Sequence, residues 1–413
     1  MAAPTPQILF YADLSGSEGG FFTVNDFVLG ELDGVGVLAG DLATDITSIA
    51  SVASISRGRN REVDEFTTGT ATLTLRNDNR EFDPTHVSGT FYGQILPGKR
   101  VDIVVGGVTI YSGVTRDWDY DYQPGSKWSE ATVSLVDALG VLAAKEFDAW
   151  TSTSQLPGAR IAAVLARSDV AYAGSTNIDD GVETLQADSI TWGSNVLNYL
   201  QLVARSDQGR LFAGRDGTLV YRDRLHAVND DPAMSFAPDG FGSRYHDIHM
   251  ELGATFLYNR VGVDRVGGTL QTVEDTAAQA ATGLGVISLS LGGLLLSSDA
   301  RSLALAQYLL SIYTDPELRL TEIGIDLHDD QISDGDRVGV LSLDLGDLVR
   351  VRFAPDGVNT DVDFYGLVEG IRHDLAPMTH RVTLSLSAAD NRTFFELDHA
   401  IRGVLDGVGA LAF

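Results

Sequence analysis

Two stretches of this chain run through the same succession of hydrophobic and polar positions. Near the N-terminus, Ala71-Thr72-Leu73-Thr74-Leu75 alternates apolar and polar residues with the period of a half-buried strand. It is followed by Gly98-Lys99-Arg100-Val101 running into Ile103 and Val105, by Ile110-Tyr111-Ser112-Gly113-Val114, and by Ala131-Thr132-Val133-Ser134-Leu135. Toward the C-terminus, alternating Leu320 to Leu327 leads to Gly346-Asp347-Leu348-Val349 running into Val351 and Phe353. Phe364-Tyr365-Gly366-Leu367-Val368 and Val382-Thr383-Leu384-Ser385-Leu386 complete the same order. Each copy closes on a helix-like or turn stretch, Asp137-Ala138-Leu139 and Ala388-Ala389-Asp390. Four strands in one order, twice, predict two related β-barrel modules within a β-rich α+β chain.

Between the copies the period lengthens. Pro157 opens a helical pattern with Ile161, Val164 and Leu165 on one face, and Ser194 is placed to cap a second helix carrying Val196, Leu197, Leu200 and Val203. Arg210 to Tyr221 reads as a hairpin turning at Asp216-Gly217, and Val261 to Val273 as another turning at Gly267-Gly268. Ser298-Asp299 starts a third helix with Leu305, Leu309 and Ile312, ending before Pro316. The resulting division is an extended docking arm at 1–45, a first module at 46–148, a mixed α+β insert at 149–314, a second module at 315–393 and a tail at 394–413. The arm's Leu32-Asp33-Gly34-Val35-Gly36 is echoed by Leu405-Asp406-Gly407-Val408-Gly409 in the tail.

Charge narrows the partners. A formal net charge of −28 opposes a surface that grips nucleic acid, which needs Lys and Arg to displace counterions. It suits a surface along which a polyanion slides without sticking. The absence of cysteine removes disulfides, thiolate nucleophiles and Cys-based zinc sites. The uncharged run Thr276 to Ser298 is about long enough to span a bilayer, but its glycines, serines and Gln279, and the alternation Ile287 to Leu291, read as a strand; no membrane anchor is expected.

Candidate chemistry is thin. No Gly-x-Ser-x-Gly elbow, His-Glu-x-x-His helix or phosphate loop occurs. His246 and His249 are three apart, which puts them on opposite faces of a strand. The 57 acidic residues guarantee chance carboxylate pairs, so a pair by itself carries no information about glycoside hydrolysis. Asp329, Asp330, Asp334 and Asp336 form an acidic run without calcium-loop spacing, read as a solvated or lumen-facing patch. Trp118, Tyr120, Tyr122 and Trp128 gather in one hairpin, as cross-strand packing or as a partner or glycan contact. No catalytic, cofactor or metal site is expected.

Several of these segments together resemble a known family. Ile55-Ser56-Arg57-Gly58-Arg59, Thr68 to Asn77, Phe82-Asp83-Pro84, Tyr92-Gly93 and Leu96-Pro97-Gly98-Lys99-Arg100-Val101 are similar to minor tail proteins of long-tailed bacteriophages, especially those infecting actinobacteria. The likeness continues through Leu294 to Ala300, Ala304 to Leu310, Leu343-Asp344-Leu345-Gly346-Asp347 and Gly403 to Gly409. The resemblance implies a tail-tip hub similar to the baseplate hub of contractile tails, with two related barrels per subunit of a homotrimer. Six lobes would match a hexameric tail ring above, with other minor tail or tip proteins below, in a virion assembled in the host cytoplasm. Phage DNA would pass through without specific binding. The chain ends soon after its second module, which argues against an appended wall-cleaving domain. A receptor-binding protein touching host glycans and a cell-wall hydrolase stay open as alternatives.

Overall fold

The computed structural model describes residues 6–12, 42–60, 64–123, 129–226, 231–238, 240, 242–253, 257–314, 318–353, 362–376 and 379–389. The docking-arm residues between 13 and 41, Trp128 and the tail lie outside them. The front of the chain forms β1 (Pro6–Ala12), β2 (Leu42–Asp45), β3 (Ala50–Gly58), β4 (Thr67–Arg76), β5 (Arg100–Val105), β6 (Val108–Tyr122), β7 (Ser129–Val136) and α1 (Ala138–Ala143). Next come β8 (Trp150–Ser152), α2 (Pro157–Leu165), β9 (Thr176–Ile178), β10 (Asp188–Ile190), α3 (Val196–Asp207), β11 (Arg210–Ala213) and β12 (Leu219–Arg222). They are followed by β13 (Met234–Phe236), β14 (Asp247–Glu251), β15 (Arg260–Arg265), β16 (Gln271–Glu274), α4 (Thr276–Thr282), β17 (Ser288–Leu294) and α5 (Asp299–Tyr313). The rear holds β18 (Arg319–Asp326), α6 (Asp334–Ser342), β19 (Leu348–Phe353), β20 (Val362–Ala376) and β21 (Thr379–Ala388).

The repeated pattern folds twice in the same way. In the front copy β4 pairs with β7, β7 with β6 and β6 with β5; in the rear copy β18 pairs with β21, β21 with β20 and β20 with β19, all antiparallel. The register agrees as well: Val101 faces Gly113 and Val349 faces Gly366. Both strands are entered through a glycine in the left-handed region, Gly98 at φ +87° and Gly346 at φ +86°. Gly98 N donates to Thr115 O at 2.7 Å and Thr115 N to Lys99 O at 2.8 Å; Gly346 N donates to Val368 O at 2.7 Å and Val368 N to Asp347 O at 2.9 Å. Each long strand then carries a bulge one residue later, at Arg116 in β6 and Glu369 in β20. The alternation read from the sequence is the burial alternation: Leu73, Leu75, Val133 and Leu135 in front, and Ile323, Ile325, Val382 and Leu384 behind, all face one core.

The modules do not close into the expected barrels. Among the described residues the pairings run as an open path through a 13-stranded sheet, β14-β18-β21-β20-β3-β4-β7-β6-β5-β1-β2, with β19 and β13 branching from β20. Closure of the front module would need the outer edges of β3 and β5 to meet. β20 occupies the first and β1 the second. Strands from outside the repeat boundaries complete each sheet: β1 buries Ile8 and Phe10 against the front module, while β13 and β14 join β19 and β18 behind.

The helix starts follow the sequence pattern, with two local differences. α2 begins at Pro157 and α5 is capped by Ser298, but α3 takes Asn195 as its cap, because that side chain accepts from Asn198 N, with Ser194 one position too early. α6 was hidden in the acidic run, where Ser333 accepts from Asp336 N and nucleates a turn. A small second core forms where α5 covers β15 and β17.

Glycine substitutions separate turn strain from close approach. Gly98→Ala and Gly346→Ala each put a Cβ at positive φ without overlap and are expected to lose roughly 1–2 kcal/mol. At Gly58 (φ +93°) a Cβ would also overlap the Glu369 carbonyl oxygen, so Gly58→Ala is expected to lose roughly 3 kcal/mol or more. Urea unfolding of the three variants measures this, and a Gly58→Ala protein no weaker than the other two contradicts the tight approach.

Candidate functional site

β20 carries the junction between the modules on its backbone. β21 lines one edge along its length; the other edge is shared by β19 up to Leu367 and by β3 from Gly370 to Asp374. Glu369 lies at the bulge between these partners and is 1% exposed. Its carboxylate accepts from Arg59 Nε at 2.8 Å and Ser387 Oγ at 2.7 Å, and Arg210 Nε lies 3.6 Å away. Burial pushes the Glu369 carboxyl up, yet the charges and bonds of Arg59 and Arg210 outweigh it and hold it below the ordinary range. Arg59 comes from the loop after β3 and Arg210 from β11, so one buried carboxylate ties front module, rear module and insert together.

A second latch lies beside it. Arg57 on β3 is 4% exposed and donates from Nη1 to Asp344 Oδ1 at 2.6 Å and to Ala213 O at 3.4 Å. Asp344 Oδ2 accepts from Arg215 N at 2.9 Å, and Arg215 Nη1 donates to Thr109 O at 3.0 Å. The β11–β12 hairpin is thereby clamped between the two modules. A cleft of about 470 Å³ opens next to it, with Arg210, Arg222, His226, Asp231, Asp344 and Asp347 on its walls. Several of its charged groups are already engaged: Arg222 Nη1 and His226 Nδ1 lie 3.0 and 2.9 Å from Asp179, and Asp347 accepts from Asp344 N at 2.8 Å. Such groups are occupied in holding elements together. Among the described residues no cluster of three or more His, Asp or Glu side chains is placed to hold a metal ion, and no helix is long and apolar enough to cross a membrane.

The aromatic candidates divide. Trp118 is half-buried, stacked on Phe82 at 6.1 Å and edge-on to Phe10 at 6.1 Å. Tyr120 is half-buried, with burial pushing its phenol up to about 12, and stacks on the exposed Tyr122 at 6.1 Å. Of the acidic candidates, Asp334 pairs with Arg337 at 2.7 Å and Asp336 accepts from Ser333 Oγ at 2.7 Å, both in the first turn of α6. Asp329 closes a turn by accepting from Gln331 N at 2.9 Å, and Asp330 is exposed. His246 and His249 are both exposed around β14.

The sequence reading missed the buried ionic latches, since Arg57, Arg59, Arg210, Asp344 and Glu369 are scattered along the chain. It also missed a histidine pair. His373 on β20 and His380 on β21 are each 2% exposed, with His373 Nδ1 3.0 Å from His380 Nε2. Their signal was legible only as a continuation of the buried alternation Ile371-x-His373 and His380-x-Val382.

No protein-family model and no curated protein matches the chain. Among solved structures, the 43 kDa tail protein of prophage MuSo2 from Shewanella oneidensis superposes with a TM-score of 0.55 at 13% identity, covering 93% of this chain and 97% of that one. The tail protein from Neisseria meningitidis MC58 gives a TM-score of 0.55 at 13% identity, over 85% and 94% of the two chains. The chain thus has the fold of these phage tail proteins.

Two outcomes follow from the buried groups. Glu369→Gln keeps the shape but leaves Arg59 and Arg210 facing a neutral amide, an expected loss of about 3 kcal/mol in urea unfolding. Burial depresses both histidines, His373 well below 6.5 and His380 to about 4. The unfolded chain therefore takes up protons first, so their contribution to stability is present above pH 6.5 and is lost as pH falls toward 4. Unfolding measured at pH 7 and pH 5 is expected to show this loss, and a His373→Gln/His380→Gln protein to show a flatter profile.

Proposed function

We propose that the chain is a structural subunit of a phage tail, acting as a homotrimeric hub at the tail tip of a long-tailed phage of the kind that infects actinobacteria. The observation that carries this reading is the duplicated module, matched in strand order, register, entry glycine and bulge. Three chains with two such modules each would offer six similar surfaces around one axis, which suits a sixfold ring above and a threefold tip below. The fold shared with two tail proteins supports the tail assignment, and the sequence resemblance supports the tip position.

The other properties fit a passive conduit. Net charge of −28 repels the phosphate backbone, so DNA moving through a channel formed by this protein would not adhere. Charged groups in the clefts are tied up in structural pairs, which fits a subunit without catalysis. Asp329 and Asp330, next to α6, are assigned to the face turned to the DNA path, and the Tyr120–Tyr122 pair to a protein neighbour.

Native mass spectrometry of the purified protein is expected to give a species at three times the 44.2 kDa chain mass, and antibody labelling of intact particles to mark the tail tip. A persistent monomer, together with label on the shaft or capsid, would sink the reading.

A further inference from the structure

The junction inside one chain has an unfilled counterpart. In the rear module, the second half of β20 receives β3 on the edge that β19 has vacated. In the front module, β5 and its lead-in pair with β6 only up to Thr115, and among the described residues nothing pairs with the same edge from Asp117 onward. Position for position, Gly370, Ile371 and His373 are buried where Asp117 is exposed and Trp118 and Tyr120 are half-buried, Asp374 is half-buried where Asp121 is exposed, and Arg372 and Asp119 are both exposed. The element equivalent to β3 is β14, since each pairs with the first strand of its module, β4 or β18. Among the described residues β14 ends the sheet, with no partner on its far side.

We propose that β14 of one copy pairs edge to edge with the second half of β6 in the next copy, in the register that joins β3 to β20 within the chain. This rests on the trimeric hub reading and names the contact that builds it. Ser54 faces Thr72 and His249 faces Glu322, and those partners face Ser134 and Ser385, the first residues paired beyond the two bulges. Asp121 faces Glu130 as Asp374 faces Arg381, six residues past Thr115 and Val368 in each case. The internal pair Asp374–Ser54 therefore maps onto Asp121–His249 between copies. An unpaired edge is a template for another strand, and a head-to-tail contact of this kind generates a ring when its rotation closes. Asp121 then meets an exposed imidazole, and of the two acids of β14, Asp247 is already held by Arg381 at 2.7 Å while Glu251 falls opposite Asp119 in this register.

A chain without cysteine makes the test clean. Opposed residues of antiparallel strands lie within disulfide range, so Ser54→Cys/Asp374→Cys should close within one chain and calibrate the method. Asp121→Cys/His249→Cys is expected, on oxidation, to give covalent dimers and trimers on a non-reducing gel, with neither single variant doing so. A native trimer that forms no such bond while the internal control does would overturn the edge pairing and leave the hub reading standing. A bond formed by Asp121→Cys alone would overturn it too, by indicating a like-to-like contact. A monomer at all concentrations, by contrast, would remove the hub reading itself.

Discussion

One strand shared by two sheets sets the geometry of this protein. β20 pairs with β21 from Gly366 to Ala376 on one side and divides the other between β19 and β3, so the modules are welded through main-chain hydrogen bonds rather than strung on a linker. Two local devices make this possible. The bulge at Glu369 turns an extra residue inward where the partners change, and Gly58 lets the β3 backbone come against that bulge at a spacing no side chain would allow. A carboxylate forced inside at that point requires cations, and Arg59 and Arg210 supply them from the front module and the insert. At the matching bulge of β6, Arg116 points to solvent instead. The insert's Arg210 therefore reaches the bulge of the rear copy and not that of the front one.

The charged interior has a consistent logic. Arg57, Arg59 and Arg210 each bridge segments far apart in the chain, and removing a partner would leave a buried charge unanswered. Such contacts fix relative placement more than they add net stability. The two modules and the insert are thereby held in one set relation. A net charge of −28 remains over the chain as a whole.

Much of the fold was legible because burial alternates with the sequence. Leu73 and Leu75, or Ile323 and Ile325, announce a half-buried strand whatever they pair with, and Gly98 and Gly346 mark a positive φ in matching places. Caps and turns read locally too, through Ser298, Asp216-Gly217 and Gly267. α6 escaped because its first turn is acidic and its apolar face is carried by few residues, Val340 and Leu341 among them. Of the candidate residues, the aspartates of the acidic run are turn and helix-start residues, and Trp118 lies partly within an aromatic core.

Sequence by itself determined that one strand order occurs twice, since period and turn residues act over a few neighbours. The tertiary structure alone decided which edges meet: that β1 and β20 take the places barrel closure would need, that β13 and β14 complete the rear sheet, and that Glu369 is buried while Arg116 is not. A strand's pattern of side chains specifies its faces, but its edges are backbone, chemically alike in every strand, so the choice of partner depends on where the rest of the chain has placed it.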